Sequence, residues 1–125
     1  MKVVDASAMV DVLVASERAA QLLAVFDDDL FAPDLLVTEV YSVLRRLTTA
    51  RTVRNADQLA LELRQSPVEY LHTWPYAERM WGWRHTMSPY DASYVALAED
   101  LGATLVTTDL RLASVAKGIV PVIAV

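Results

Sequence analysis

Ala103-Thr104-Leu105-Val106-Thr107-Thr108-Asp109 decides the fold of this chain. A short apolar run that ends on two threonines and an aspartate reads as a buried strand whose carboxyl end meets a turn. Directly upstream, Gly102 closes a helix predicted over Asp91 to Leu101, and Ser88-Pro89-Tyr90-Asp91 opens it with a capping serine, a proline in first position and an acid in the first turn. A helix feeding a buried strand is half of an alternating α/β pattern, and the rest of the chain repeats it.

At the amino end, Lys2 to Val4 is a strand candidate that stops at Asp5 and runs into the helix-forming Ser7-Ala8-Met9-Val10. Glu17 to Phe26 has apolar residues in helical spacing, and Asp27-Asp28-Asp29 marks a solvated turn. Leu30 to Ala32 is the next strand candidate. Pro33 is expected to open a helix to Thr48, with Leu35, Leu36, Val40, Val43, Leu44 and Leu47 on its apolar face. Asn55 to Gln65 is helical, Val68 to Leu71 extended and Pro75 to His85 helical, with a last helix and strand finishing at Val125. The expected architecture is a single domain over residues 1–125, an α/β/α sandwich around a central, mainly parallel sheet. Its ligand site is expected beyond the carboxyl ends of the strands.

Composition narrows the chemistry. The absence of cysteine removes disulfides, thiolate metal sites and cysteine nucleophiles together. Lys2 and Asp5 interrupt the amino end, so neither a signal peptide nor a spanning segment is expected and the protein is placed in the cytoplasm. Sixteen acids against eleven bases give a net charge of −5, which argues against a broad basic nucleic-acid surface. The objection weakens where several acids share a cavity with divalent cations, which change the local sign of the field. A hydrophobic fraction of 54% exceeds what a small monomer needs and points to a homodimer.

Four acids stand out. Asp5 and Asp109 each follow a strand and project at the same edge of the sheet, although each position also suits a helix N-cap. Asp91 lies in a first turn whose cap Ser88 already supplies, which leaves its carboxylate for other work or for the helix dipole. Glu39 falls on or beside the apolar face of its helix, where it needs a positive partner: an arginine such as Arg45 or Arg84, or a metal ion. Carboxylates sharing one pocket repel by roughly 4 kcal/mol per close pair at an effective dielectric of about 20, so a cation belongs among them. With hard oxygen donors, no cysteine and only His72 and His85, that cation is Mg²⁺ or Mn²⁺ rather than zinc.

Val3-Val4-Asp5-Ala6-Ser7, the helical Glu39, Tyr90-Asp91-Ala92-Ser93-Tyr94-Val95-Ala96-Leu97-Ala98-Glu99 and Leu105-Val106-Thr107-Thr108-Asp109 together resemble the PIN domain of VapC toxins, in order and spacing along the whole chain. The resemblance implies a metal-dependent endoribonuclease, the toxin of a type II toxin–antitoxin pair, that cuts structured RNA. It implies that Asp5, Glu39, Asp91 and Asp109 hold one or two Mg²⁺ or Mn²⁺ ions, with Ser7 and Thr107 as polar supporters. It further implies homodimers and a small DNA-binding antitoxin of the VapB type, which pushes an arginine into the acidic pocket. One departure stands out: some family members carry a further acid shortly after the Asp109 position, where this chain has Leu110-Arg111-Leu112.

Other residues have two readings. Arg45, Arg46, Arg51 and Arg54 form either an RNA-backbone track or a solvated, dipole-pairing cluster. Arg84 either contacts RNA or the antitoxin, or holds Glu39. Trp74 and Trp81 share a helical face by spacing, which favours core or partner packing over base stacking, and Trp83 points elsewhere, towards an interface. His72 and His85 are too isolated for a triad or a zinc site. A phosphorelay receiver domain has the same layout and a late Lys117, but it needs paired acids after its first strand, and only Asp5 is there. The stronger rival is a non-catalytic interaction module on a PIN-like fold.

Overall fold

Strands β1 (Lys2–Val4), β2 (Leu30–Pro33), β3 (Val68–Leu71), β4 (Thr104–Thr107) and β5 (Val122–Ala124) form one sheet in the computed structural model, which describes residues 1–125. All neighbours pair in parallel, in the order β3-β2-β1-β4-β5. Chain winding therefore steps one way from β1 to β3 and returns the other way through β4 to β5. Between β1 and β4 lies the switch point where the crevice beyond the strand ends opens.

Seven helices connect the strands: α1 (Ala6–Leu13), α2 (Ala19–Val25), α3 (Leu35–Thr49), α4 (Ala56–Gln65), α5 (Ala77–Gly82), α6 (Pro89–Leu101) and α7 (Leu110–Ala116). Right-handed crossovers put α1 to α4 on one face of the sheet and α5 to α7 on the other, the layered α/β fold expected from the alternation. Helices α1, α3 and α4 pack on one another, whereas α6 lies against β1, β2 and β4.

Helix α6 is the centre of the second layer. Every residue from Ala92 to Ala98 is buried, so this helix is apolar on all sides and packs between sheet and neighbours instead of showing one wet face. Its one buried hydroxyl in that run outside the tyrosine, Ser93 Oγ, donates to the Tyr90 carbonyl at 2.6 Å. Gly102 ends the helix at φ 62°, the left-handed conformation that costs glycine nothing. The core runs from Val3 and Val4 through Leu36 and Val40 to Leu97, Leu105 and Leu112.

Three expectations need correction. Pro33 ends β2 and does not open a helix, and α3 begins at Leu35. The last β1–β2 register pair is Val3 with Phe31, so the N–H that Pro33 lacks falls beyond that ladder, while Asp34 N still reaches Leu71 O at 3.0 Å. The segment predicted as one helix from Pro75 to His85 is a 3-10 turn, Trp74–Tyr76, followed by the short α5. Of the core or partner packing expected for Trp74 and Trp81, the core is ruled out, since they are 81% and 67% exposed. Trp83, by contrast, packs against the core cluster.

Candidate active site

Asp5 lies at the end of β1 and is 4% exposed. Its backbone is extended, and Oδ1 accepts from Ala8 N at 2.9 Å, so it does cap α1. The same oxygen accepts from Ser7 Oγ at 2.7 Å, and Oδ2 from Thr107 Oγ1 at 2.5 Å. Burial pushes its pKa up to about 6; three donors oppose the rise, and Asp109 adds to it. The cap and the site are thus one arrangement: the carboxylate that starts α1 is also the most buried acid at the switch point.

Ser7 and Thr107, both donors to this carboxylate, also reach each other, with their hydroxyl oxygens 3.2 Å apart. Thr107 Oγ1 accepts from Asp109 N at 2.9 Å, and Ser7 Oγ accepts from Thr108 N at 3.1 Å, so the turn after β4 is pinned to the turn after β1. Asp109 caps α7 through Oδ1, which accepts from Arg111 N at 2.9 Å and Leu112 N at 3.1 Å. Its Oδ2 is left for other partners.

Ser88 caps α6 by accepting from Asp91 N at 3.1 Å, which leaves the Asp91 side chain free of capping. That side chain is engaged instead by Arg111, whose Nη2 lies 2.8 Å from Asp91 Oδ2 and 3.2 Å from Asp109 Oδ2. One guanidinium nitrogen thus bridges acids from α6 and from the β4–α7 turn. Nothing in the sequence spacing singled out Arg111, because its reach across to α6 depends on tertiary placement.

Glu39, half-buried on α3, accepts from Tyr94 Oη of α6 at 2.6 Å. Its pKa is raised by burial, lowered by the tyrosine and raised again by Asp91. The phenol of Tyr94, 2% exposed, has its own pKa raised by burial and by Glu39. The arginine partner considered for Glu39 is therefore corrected: neither Arg45 nor Arg84 pairs with it, and the side chain it meets is the neutral Tyr94 hydroxyl. Asp5 feels Asp109, Glu39 feels Asp91, and Arg111 joins Asp91 to Asp109, so all four predicted acids belong to one neighbourhood.

A cleft of about 640 Å³ opens beside this cluster between α1 and α3, lined by Ser7, Asp11, Glu39 and Arg46 among others. Leu35, Glu39, Ser42 and Arg46 lie on one face of α3 at spacings of four, three and four residues. Asp11, a fifth acid missed in the sequence, stands in the cleft and accepts from Thr108 Oγ1 at 2.7 Å. An (i, i+4) count from Ser7 on α1 would have found it. Of the four arginines considered as a track, Arg46 lines this cleft, whereas Arg45 lines a separate depression with α4. Arg84 neither holds Glu39 nor lines the cleft: it stacks over Trp81, 4.9 Å from the ring centroid, and donates to the Trp81 carbonyl at 3.1 Å.

A family model described as "PIN domain" matches residues 2–118. Ribonuclease VapC9 of Mycobacterium tuberculosis is 41% identical over 127 residues, spanning all of this chain and 98% of that one. Ribonuclease VapC3 of the same organism is 42% identical over 115 residues, 89% of this chain and 84% of that one. Among solved structures, M. tuberculosis VapC20, described as a sarcin-ricin-loop-cleaving toxin, superposes with a TM-score of 0.74 at 20% identity, covering 96% of this chain and 97% of that one. The chain belongs to the PIN-domain family, as a nuclease of its VapC type.

The donor set meets the chemistry of a hard divalent cation: clustered carboxylates, no sulfur, and one acid so buried that its charge lacks a counter-ion. The acids are not drawn into a ready cage, since no three histidine, aspartate or glutamate side chains stand close enough to hold an ion as they are. Arg111 takes up two of them.

Proposed function

We propose that this chain is an Mg²⁺- or Mn²⁺-dependent endoribonuclease that acts as the toxin of a two-protein system and cuts structured RNA. The observation that carries the proposal is the convergence of Asp5, Glu39, Asp91 and Asp109, from four separate elements, on the sheet's switch point, with Asp5 buried and short of positive charge. Bound Mg²⁺ or Mn²⁺ supplies water activation and neutralises charge on the phosphodiester.

The chain's own residues do the rest. Asp5 and Asp109 hold the ion from the ends of β1 and β4, Asp91 and Glu39 from α6 and α3. Ser7 and Thr107 fix the Asp5 carboxylate in one orientation, as polar neighbours of metal-bound carboxylates commonly do. Tyr94 fixes Glu39 in the same way. Arg46 offers positive charge along the cleft for the RNA backbone. The names of the relatives support RNA as substrate, and the one described as cleaving the sarcin-ricin loop supports a structured target. A VapB-type DNA-binding antitoxin, a homodimer, a single domain and a cytoplasmic setting complete the reading. No helix is long and apolar enough to cross a membrane.

The test is Asp5→Asn assayed on RNA with Mg²⁺. Abolished cutting is expected, and undiminished cutting removes the proposal. A non-catalytic module of the same fold is favoured by one observation, Arg111 already closing on two of the four acids, and it predicts that the wild-type chain neither binds Mn²⁺ nor cuts RNA.

A further inference from the structure

Arg111 stands in an unusual position for a side chain of its own chain. Asp91 is only 13% exposed on its side chain and Asp109 35%, yet both turn one oxygen towards the same Nη2, at 2.8 and 3.2 Å. The Arg111 side chain as a whole is 63% exposed, so it reaches the acids from outside and is not built into the core. Its backbone is anchored independently, because Arg111 N donates to Asp109 Oδ1 at 2.9 Å in the first turn of α7. The side chain can leave without disturbing the helix that carries it. On Asp109 it covers the one oxygen that capping leaves over, since Oδ1 is spent on Arg111 N and Leu112 N, and on Asp91 it is the only side-chain hydrogen-bond partner.

We infer that Arg111 is a built-in competitor of the divalent cation: it holds Asp91 and Asp109 when no ion is bound and must swing outward before an ion can take the oxygens it covers. The inference rests on the metal-dependent reading above and adds to it a residue of this chain that sets the metal affinity. The physical reason is charge balance. Four neighbouring carboxylates need positive charge whether or not an ion is present, and a guanidinium bridging two of them supplies it until a doubly charged ion does so better. The exposed, salt-screened position of Arg111 makes its hold weak enough to be displaced. The resident arginine thereby lowers the apparent affinity for the ion without contributing a ligand.

Calorimetric titration of Mn²⁺ into the metal-free full chain tests this, with wild type, Arg111→Ala and Arg111→Gln compared; the glutamine variant keeps the stem that covers the protein surface. Both variants are expected to bind Mn²⁺ more tightly than wild type, by about fivefold, the worth of one exposed charge-assisted pair. Equal or weaker binding in both variants overturns the inference while leaving the metal-dependent nuclease intact. Absence of Mn²⁺ binding in wild type and both variants overturns the metal-dependent reading itself, and the role of Arg111 falls with it.

Discussion

The Thr107 hydroxyl donates to Asp5 Oδ2 at 2.5 Å, joining residues 102 positions apart in the chain. This one bond ties the carboxyl end of β4 to that of β1 at the place where the winding of the sheet reverses. Thr107 is fully buried, and the same oxygen accepts from Asp109 N, so two of the site's acids are positioned by one hydroxyl.

Thr107→Val keeps the shape of the side chain and removes the hydroxyl. The loss leaves Asp5 without one of its three donors and Asp109 N without its acceptor, so urea unfolding of the metal-free protein should show a loss of roughly 1–3 kcal/mol. Thr107→Ser should lose much less. Equal stability of the valine variant and wild type would show that the bond carries no weight.

The raised pKa of Asp5 makes metal-free stability depend on pH with a definite sign. The folded chain holds this proton up to about pH 6 and the unfolded chain only to the ordinary aspartate value of 3.8, so folding loses stability as pH rises through that window. The loss is about 3 kcal/mol at most once Asp5 is ionised in both states. Asp5→Asn removes this pH dependence. Its stability advantage over wild type should be small at pH 4, grow up to pH 6 and then level off, as read by denaturant unfolding at each pH in the presence of a chelator.

Tyr94→Phe leaves the core packed but takes the hydroxyl away from Glu39. If Glu39 serves the ion, loss of this outer partner should lower metal affinity or activity on the order of tenfold. Unfolding should cost about 1 kcal/mol. Unchanged cleavage kinetics and Mn²⁺ affinity would remove Glu39 from the working site.

Two arginines are separated by their surroundings. Arg46→Ala should weaken RNA binding and lower the salt slope by about one, because Arg46 lines the cleft beside Glu39. Arg84→Ala should leave that slope unchanged, since Arg84 is committed to Trp81. The opposite pair of results, from filter binding across a salt series, would place the RNA over α5 instead of along α3.

Much of this was legible in the sequence. Asp5 and Asp109 each end an apolar run, and strand ends in an alternating α/β chain meet at one edge. Asp91 could be told from a cap because Ser88 already filled that role. What stayed hidden depends on placement across layers. Tyr94 reads as one more apolar residue in Tyr94-Val95-Ala96-Leu97-Ala98, and only the packing of α6 turns its hydroxyl to Glu39. Arg111 reads as a departure from an acidic pattern, whereas its guanidinium bridges Asp91 and Asp109. Pro33 suits the first turn of a helix and the end of a strand equally well, and the short reach of β1 decided between them. Trp74 and Trp81 share a face by spacing, but spacing does not say whether that face meets core or solvent.

A divalent cation shared by Asp5, Glu39, Asp91 and Asp109 is what the proposed chemistry depends on. Anomalous diffraction at the manganese edge, from crystals of the wild-type chain grown with Mn²⁺, tests it most directly. A peak is expected among the carboxylate oxygens of these four residues, with the Arg111 side chain turned away from Asp91 and Asp109. A cluster left without a peak at saturating Mn²⁺, or an ion bound only elsewhere on the surface, would contradict it.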